Sequence, residues 1–151
     1  MTKSSSSALP SSTIVAVIGA GAMGSGIAHV VAKAGHPVYL FDTNQDALDK
    51  GIAGIKKDLD FLLSKGKLTA EDVSNITGRI KAVNELSAIK DSKLVIEAIV
   101  ENLDVKRKVF ADIEDLLGED AILTSNTSSI SITAIAAKLK RPERLLGVHF
   151  F

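Results

Sequence analysis

Cysteine and tryptophan are absent from the 151-residue sequence, proline occurs three times, and aromatic residues make up 4% of it. Without cysteine there is no disulfide framework, no thiolate zinc site and no cysteine nucleophile, and nothing marks an oxidising compartment. A reducing, cytoplasmic setting and no metal site are therefore expected. Neither charge sign is in excess: 18 basic side chains meet 18 acidic ones. That balance leaves no basic field for a polyanion, and so few aromatics leave few platforms for stacked bases, so no nucleic-acid partner is expected. An uninterrupted apolar run is missing too. Ser4 to Ala32 carries no Asp, Glu, Lys or Arg, but Gly19, Gly21, Gly24 and Gly26 fall where a spanning helix would lose stability, and only Lys3 could lead a signal sequence. No membrane association is expected.

What is present suits one compact domain, since a chain of this size buries roughly 68–70% of its unfolded surface. Ser4 to Ser7, Pro10, Ser11 and Ser12 cannot form a core face, so residues 1–12 are expected to be a disordered tail and 13–151 the domain. Thr13 to Ile18 is a β-branched run of the kind buried on both faces of a sheet. Met23 to Ala34 repeats at helical spacing and stops at Gly35, and Val38 to Phe41 is a second strand. Strand, glycine turn, helix and strand make a βαβ unit, which closes as a right-handed crossover between parallel strands. The fold class is α/β, a doubly wound, mostly parallel sheet of Rossmann type.

Leu48, Ile52, Ile55, Leu59, Leu62 and Leu63 step by helical intervals and predict a long amphipathic helix over 44–65, stopped by Gly66. Thr69 with Asp72 predicts the N-cap of a return helix, so a helical hairpin is inserted after the second strand, before another strand near Ile80. Strands are expected at 94–100, 121–124 and 145–150, with helices at 103–117 and 130–139.

Gly19-Ala20-Gly21-Ala22-Met23-Gly24 fits G-x-G-x-x-G and stands between a buried strand and a helix. In that setting Gly19 makes the tight turn, Gly21 lets a pyrophosphate approach backbone N–H groups, and Gly24 lets helix and strand pack closely. Asp42 follows the second strand, eighteen residues after Gly24, where a carboxylate accepts hydrogen bonds from an adenosine ribose. These residues point to a dinucleotide, with FAD still open on this pattern alone. A 2′-phosphate beside Asp42 would meet about 4 kcal/mol of repulsion per charge pair at contact, and no arginine precedes Arg79. NAD is favoured over NADP.

Ligands of an open parallel sheet lie beyond the carboxyl ends of its strands. Glu97 and Glu101, then Thr124-Ser125-Asn126-Thr127-Ser128-Ser129, then His149 fall there. Hydroxyls and amides can orient a polar substrate, and an imidazole exchanges a proton near neutral pH. Helix capping before Ile130 is the plainer use of the hydroxyl run.

The segments Val17-Ile18-Gly19-Ala20-Gly21-Ala22-Met23-Gly24, Glu97-Ala98-Ile99-Val100-Glu101-Asn102, Ser125-Asn126-Thr127-Ser128-Ser129 and Gly147-Val148-His149-Phe150-Phe151 together resemble the L-3-hydroxyacyl-CoA dehydrogenases, including the 3-hydroxybutyryl-CoA enzymes. The resemblance covers nearly everything after Thr13. It implies NAD-dependent, reversible oxidation of an (S)-3-hydroxyacyl-CoA to the 3-ketoacyl-CoA, as in fatty-acid oxidation. It implies His149 as general acid/base, Ser128 as the hydroxyl contacting substrate and cofactor, and Asn126 as a support of that site. Glu101 and Lys106 resemble family residues near the cofactor, and Lys65 resembles a coenzyme A contact, with Lys67 beside it at the hairpin tip. The family's glutamate that orients the histidine lies just beyond His-Phe-Phe, outside this sequence. So does its C-terminal helical domain, which completes the substrate cleft and forms a homodimer. Two alternatives stay open: another NAD-dependent 3-hydroxyacid or sugar-acid dehydrogenase, and a dinucleotide-binding protein without turnover.

Overall fold

The structure is a computed structural model and describes residues 9–150. Its elements are β1 (Val15–Ile18), α1 (Ala22–Lys33), β2 (Val38–Phe41), α2 (Gln45–Ser64), α3 (Ala70–Arg79), β3 (Ile80–Val83), β4 (Leu94–Glu97), α4 (Leu103–Leu116), β5 (Ile122–Ser125), α5 (Ile132–Ala136) and β6 (Leu145–Gly147). The six strands form one sheet in the order β3-β2-β1-β4-β5-β6, and every paired neighbour is parallel. Strand order therefore reverses between β1 and β4, the crevice where doubly wound sheets bind ligands.

Alternate residues of the central strands feed two cores. Val15, Val17, Val38, Leu40 and Ile96 pack under α1, α2 and α3 through Ile27, Leu48, Ile55, Leu59 and Ile76. On the other face Ala16, Ile18, Val95 and Leu123 meet Phe110, Ile113 and Ile135 of α4 and α5. Burial on both faces is why these strands read as continuous apolar runs rather than alternating ones.

The helical hairpin is present. Asn44 caps α2, its side chain accepting from the Ala47 N–H. Gly66 takes φ +70° to turn the chain, and the Lys67 N–H reaches back to the Leu62 carbonyl. Thr69 and Asp72 then form a reciprocal capping box at the start of α3.

Three expected elements are shorter than their apolar runs, each because a side chain takes a backbone partner. β4 ends at Glu97 rather than 100: the Glu97 carboxylate accepts the Ile99 N–H at 2.7 Å and bends the chain out of the ladder. The helix expected at 130–139 is confined to Ile132–Ala136, because Thr127 Oγ1 accepts the Ile130 N–H and Ser131 is the cap. β6 stops at Gly147 instead of reaching 150: after the Val148 N–H bonds the Ser125 carbonyl, Asn126 Oδ1 accepts the Phe150 N–H at 2.7 Å, and Phe150 packs on the α1 side. Of the expected tail, residues 1–8 lie outside the described residues, and at 10–13 the Thr13 N–H closes a turn on the Pro10 carbonyl at 2.9 Å. No helix among the described residues is long and apolar enough to cross a membrane.

Candidate functional site

The glycine turn joins β1 to α1 under tight steric control. Gly19 has φ +107°, and a Cβ there would stand 2.6 Å from the Ala98 carbonyl oxygen. A Cβ on Gly24 would fall 1.7 Å from the Gly19 carbonyl oxygen, so α1 can sit this close only with glycine at that place. Gly21 is different: nothing lies within 4 Å of its would-be Cβ. It is the N-cap of α1 and offers no side chain to the first N–H groups of the helix. Those donors, with the positive end of the helix dipole, face open space and suit an anion.

Asp42 stands just past β2. One carboxylate oxygen accepts the Ala20 N–H at 3.0 Å and the other the Asn44 N–H at 2.9 Å. It thereby fixes the glycine turn against β2, and since a carboxylate offers about four acceptor positions, it keeps capacity for ribose hydroxyls. No arginine joins it: the Arg79 guanidinium is turned to the Ala32 carbonyl.

Beyond β4 and β5 lies a recess of about 240 Å³ lined by Met23, Ala98, Ile99, Glu101, Lys106, Asn126, Ser128 and His149. Its inner wall rests on a buried ion pair. Glu97 and Ser125 are register partners on adjacent strands, so their side chains share a face, and the Ser125 hydroxyl donates to Glu97 Oε1 at 2.5 Å. Glu97 Oε2 accepts from Lys106 Nζ at 2.5 Å, and both side chains are buried. Lys106 also donates to the Ile99 carbonyl at 3.4 Å and lies 3.9 Å from Glu101 Oε1. The outer rim is built from hydroxyls: Glu101 Oε2 accepts from Thr127 Oγ1 at 2.7 Å and Ser129 Oγ at 3.3 Å.

His149 is carried on a short crossing segment pinned at both neighbours. The Val148 N–H donates to the Ser125 carbonyl at 3.0 Å, and the Phe150 N–H donates to Asn126 Oδ1 at 2.7 Å. Asn126 itself is tied to β4, its N–H donating to the Glu97 carbonyl at 2.8 Å. The asparagine side chain thus holds the backbone on which the histidine sits.

The structure brings Met23, Glu101, Lys106, Asn126, Ser128 and His149 to one recess, with the rest of the glycine turn and Asp42 beside it along the crevice. Lys65 and Lys67 are not part of it. Both are exposed at the hairpin tip, with Lys65 Nζ over the Phe61 ring, 5.6 Å from its centroid. Two features went unread in the sequence. One is the Glu97–Lys106 pair, signalled by a lysine on the inward stripe that continues through Phe110 and Ile113. The other is a groove of about 560 Å³ between α1 and α2, floored by Gly26, Gly51 and Gly54 and edged by His29, Lys50, Lys57 and Asp58. Burial lowers the His29 pKa; Asp58 opposes that shift and Lys33 adds to it.

Residues 14–151 match the family model described as "3-hydroxyacyl-CoA dehydrogenase, NAD binding domain". The chain belongs to this family. It is 48% identical over 137 residues to the 3-hydroxyadipyl-CoA dehydrogenase of Escherichia coli K12, covering 91% of this chain and 29% of that protein. It is 43% identical over 137 residues to the 3-hydroxybutyryl-CoA dehydrogenase of Clostridioides difficile, covering 91% of this chain and 49% of that protein. The crystal structure of 3-hydroxybutyryl-CoA dehydrogenase from E. coli K12 superposes with TM-score 0.90 at 48% identity, covering 95% of this chain and 30% of the other. The chain thus spans between about a third and a half of the length of these 3-hydroxyacyl-CoA dehydrogenases. The glycine-capped helix start, Asp42 and the recess past β4 and β5 lie at the carboxyl ends of the strands, where doubly wound sheets bind dinucleotides.

Proposed function

We propose that this domain serves the reversible, NAD-dependent oxidation of an (S)-3-hydroxyacyl-CoA to the 3-ketoacyl-CoA, the acyl-CoA partner being the chemistry named for its relatives. The observation that carries the proposal is the recess in which His149, Ser128 and the Lys106–Glu101 wall converge beyond the switch point of the sheet. Gly19 to Gly24 and Asp42 would hold NAD, whose nicotinamide would supply the acceptor for the hydride of the carbinol carbon. The neutral His149 imidazole takes the hydroxyl proton, so that the C–O bond becomes a carbonyl; in reduction the imidazolium returns the proton. The Ser128 hydroxyl orients the substrate oxygen, and Asn126 keeps the histidine segment in place. Lys65 and Lys67 supply cations to coenzyme A phosphates from the hairpin tip. The cytoplasm, and assembly as a homodimer through a C-terminal helical domain, complete the proposal.

The test is acetoacetyl-CoA-dependent oxidation of NADH by the full-length product. A fall of about 10²–10⁴-fold in kcat is expected for His149→Ala, the usual contribution of a positioned acid or base, with NADH affinity kept. Unchanged turnover removes His149 from the mechanism. Turnover with a 3-hydroxyacid that lacks coenzyme A, at the same kcat/KM, replaces the substrate class.

A further inference from the structure

Three charged side chains form the wall behind Ser128 and His149, and one of them never reaches the recess. Glu97 is fully buried, and its carboxylate is committed on both oxygens to Ser125 Oγ, the Ile99 N–H and Lys106 Nζ. Lys106 does line the recess, as does Glu101. A buried ammonium without its partner carries an uncompensated charge. Glu101 cannot take over that role alone, because it is 3.9 Å away with a side chain 44% exposed.

The count of charges is informative. With Lys106 positive and both glutamates negative, the wall holds one net negative charge; without Glu97 it holds none. The oxidised nicotinamide ring is positive and the reduced ring is neutral, so such a wall distinguishes the two. We propose that Glu97 is a positioning residue that holds and neutralises Lys106, keeping this wall negative and thereby open to the oxidised cofactor. The proposal rests on the assignment of the recess to the nicotinamide end. A merely structural Glu97, tying β4 and β5 to α4, would support both redox forms equally.

The experiment is calorimetric titration of the chain with NAD⁺ and with NADH, separately, at pH 8 and low salt. In Glu97→Gln the affinity for NAD⁺ is expected to fall about tenfold more than that for NADH, the effect of one unbalanced charge across a half-open site. Ser125→Ala, which removes a bond to Glu97 and no charge, should leave the ratio unchanged. Glu97→Gln/Lys106→Met, which removes both members of the pair, should return the ratio to that of the unmodified chain. Equal losses for the two forms in Glu97→Gln, or a double variant that keeps the altered ratio, overturn the proposal. If circular dichroism shows Glu97→Gln unfolded, Glu101→Gln removes one negative charge from the same wall and leaves the Glu97–Lys106 contact in place, and an unchanged ratio there overturns it instead. Absence of binding by the unmodified chain overturns the nicotinamide assignment and the proposal together.

Discussion

Two glycines in one turn, three residues apart, face different fates on gaining a methyl group. At Gly24 the new Cβ would strike the Gly19 carbonyl oxygen at 1.7 Å, so the start of α1 must move and Gly24→Ala should lower stability markedly. Gly21 has φ −67° and open space around it, so Gly21→Ala should fold with a near-unchanged melting temperature. The space it fills is the approach to the free N–H groups of α1, so NADH affinity should nevertheless fall at least tenfold. Thermal unfolding followed by NADH fluorescence titration on both variants separates the two roles. A Gly21→Ala protein that binds NADH normally would move the pyrophosphate elsewhere. Asp42 makes a second residue-level case. Asp42→Asn keeps an acceptor for the Ala20 N–H and loses the negative charge, so NADPH should gain on NADH; an unchanged preference in paired titrations would free the acid from any part in cofactor choice.

At the scale of the element, legibility followed the kind of partner. α1, α2 and α4 were readable to within a residue or so and α3 at its start: α1 and α2 pair an apolar stripe with a stop at Gly35 or Gly66, and the Thr69–Asp72 box marks where α3 begins. The ends of β4, α5 and β6 were not readable. There the apolar run continues, and it is Glu97, Thr127, Ser131 and the crossing to α1 that stop the element, through contacts that composition does not announce. The site divided in the same way. Glycines and Asp42 have a fixed spacing and were visible, and resemblance supplied His149 and Ser128. The Glu97–Lys106 pair joins residues nine apart on a strand and a helix, so only the packing of α4 on the sheet reveals it. The α1–α2 pair also carries a pH response. His29 has a pKa lowered by burial, so protonation favours the unfolded chain. Its contribution to stability is complete above about pH 6.5 and is lost as pH falls toward the lower folded value. Urea midpoints between pH 7.5 and 5.5 should therefore fall more in the wild type than in His29→Gln; parallel curves would show that the groove does not sense this proton.

The whole molecule is a parallel sheet closed by helices on both faces, with its chemistry gathered along one rim. The side chains of both cores pack on one another, with the crevice outside them. At the start of α1, by contrast, no side-chain cap among the described residues satisfies the first donors. A ligand that satisfies them binds the native state and not the unfolded chain, and so adds about 2.7 kcal/mol of stability at a hundred times its dissociation constant. NADH should accordingly raise the melting temperature in proportion to the logarithm of its concentration, and Gly21→Ala should need at least ten times more NADH for the same gain. By the same linkage the protein's lifetime in a cell is expected to follow dinucleotide supply: empty molecules should sample unfolded, protease-sensitive forms more often, and pulse-chase at low and high dinucleotide levels checks it.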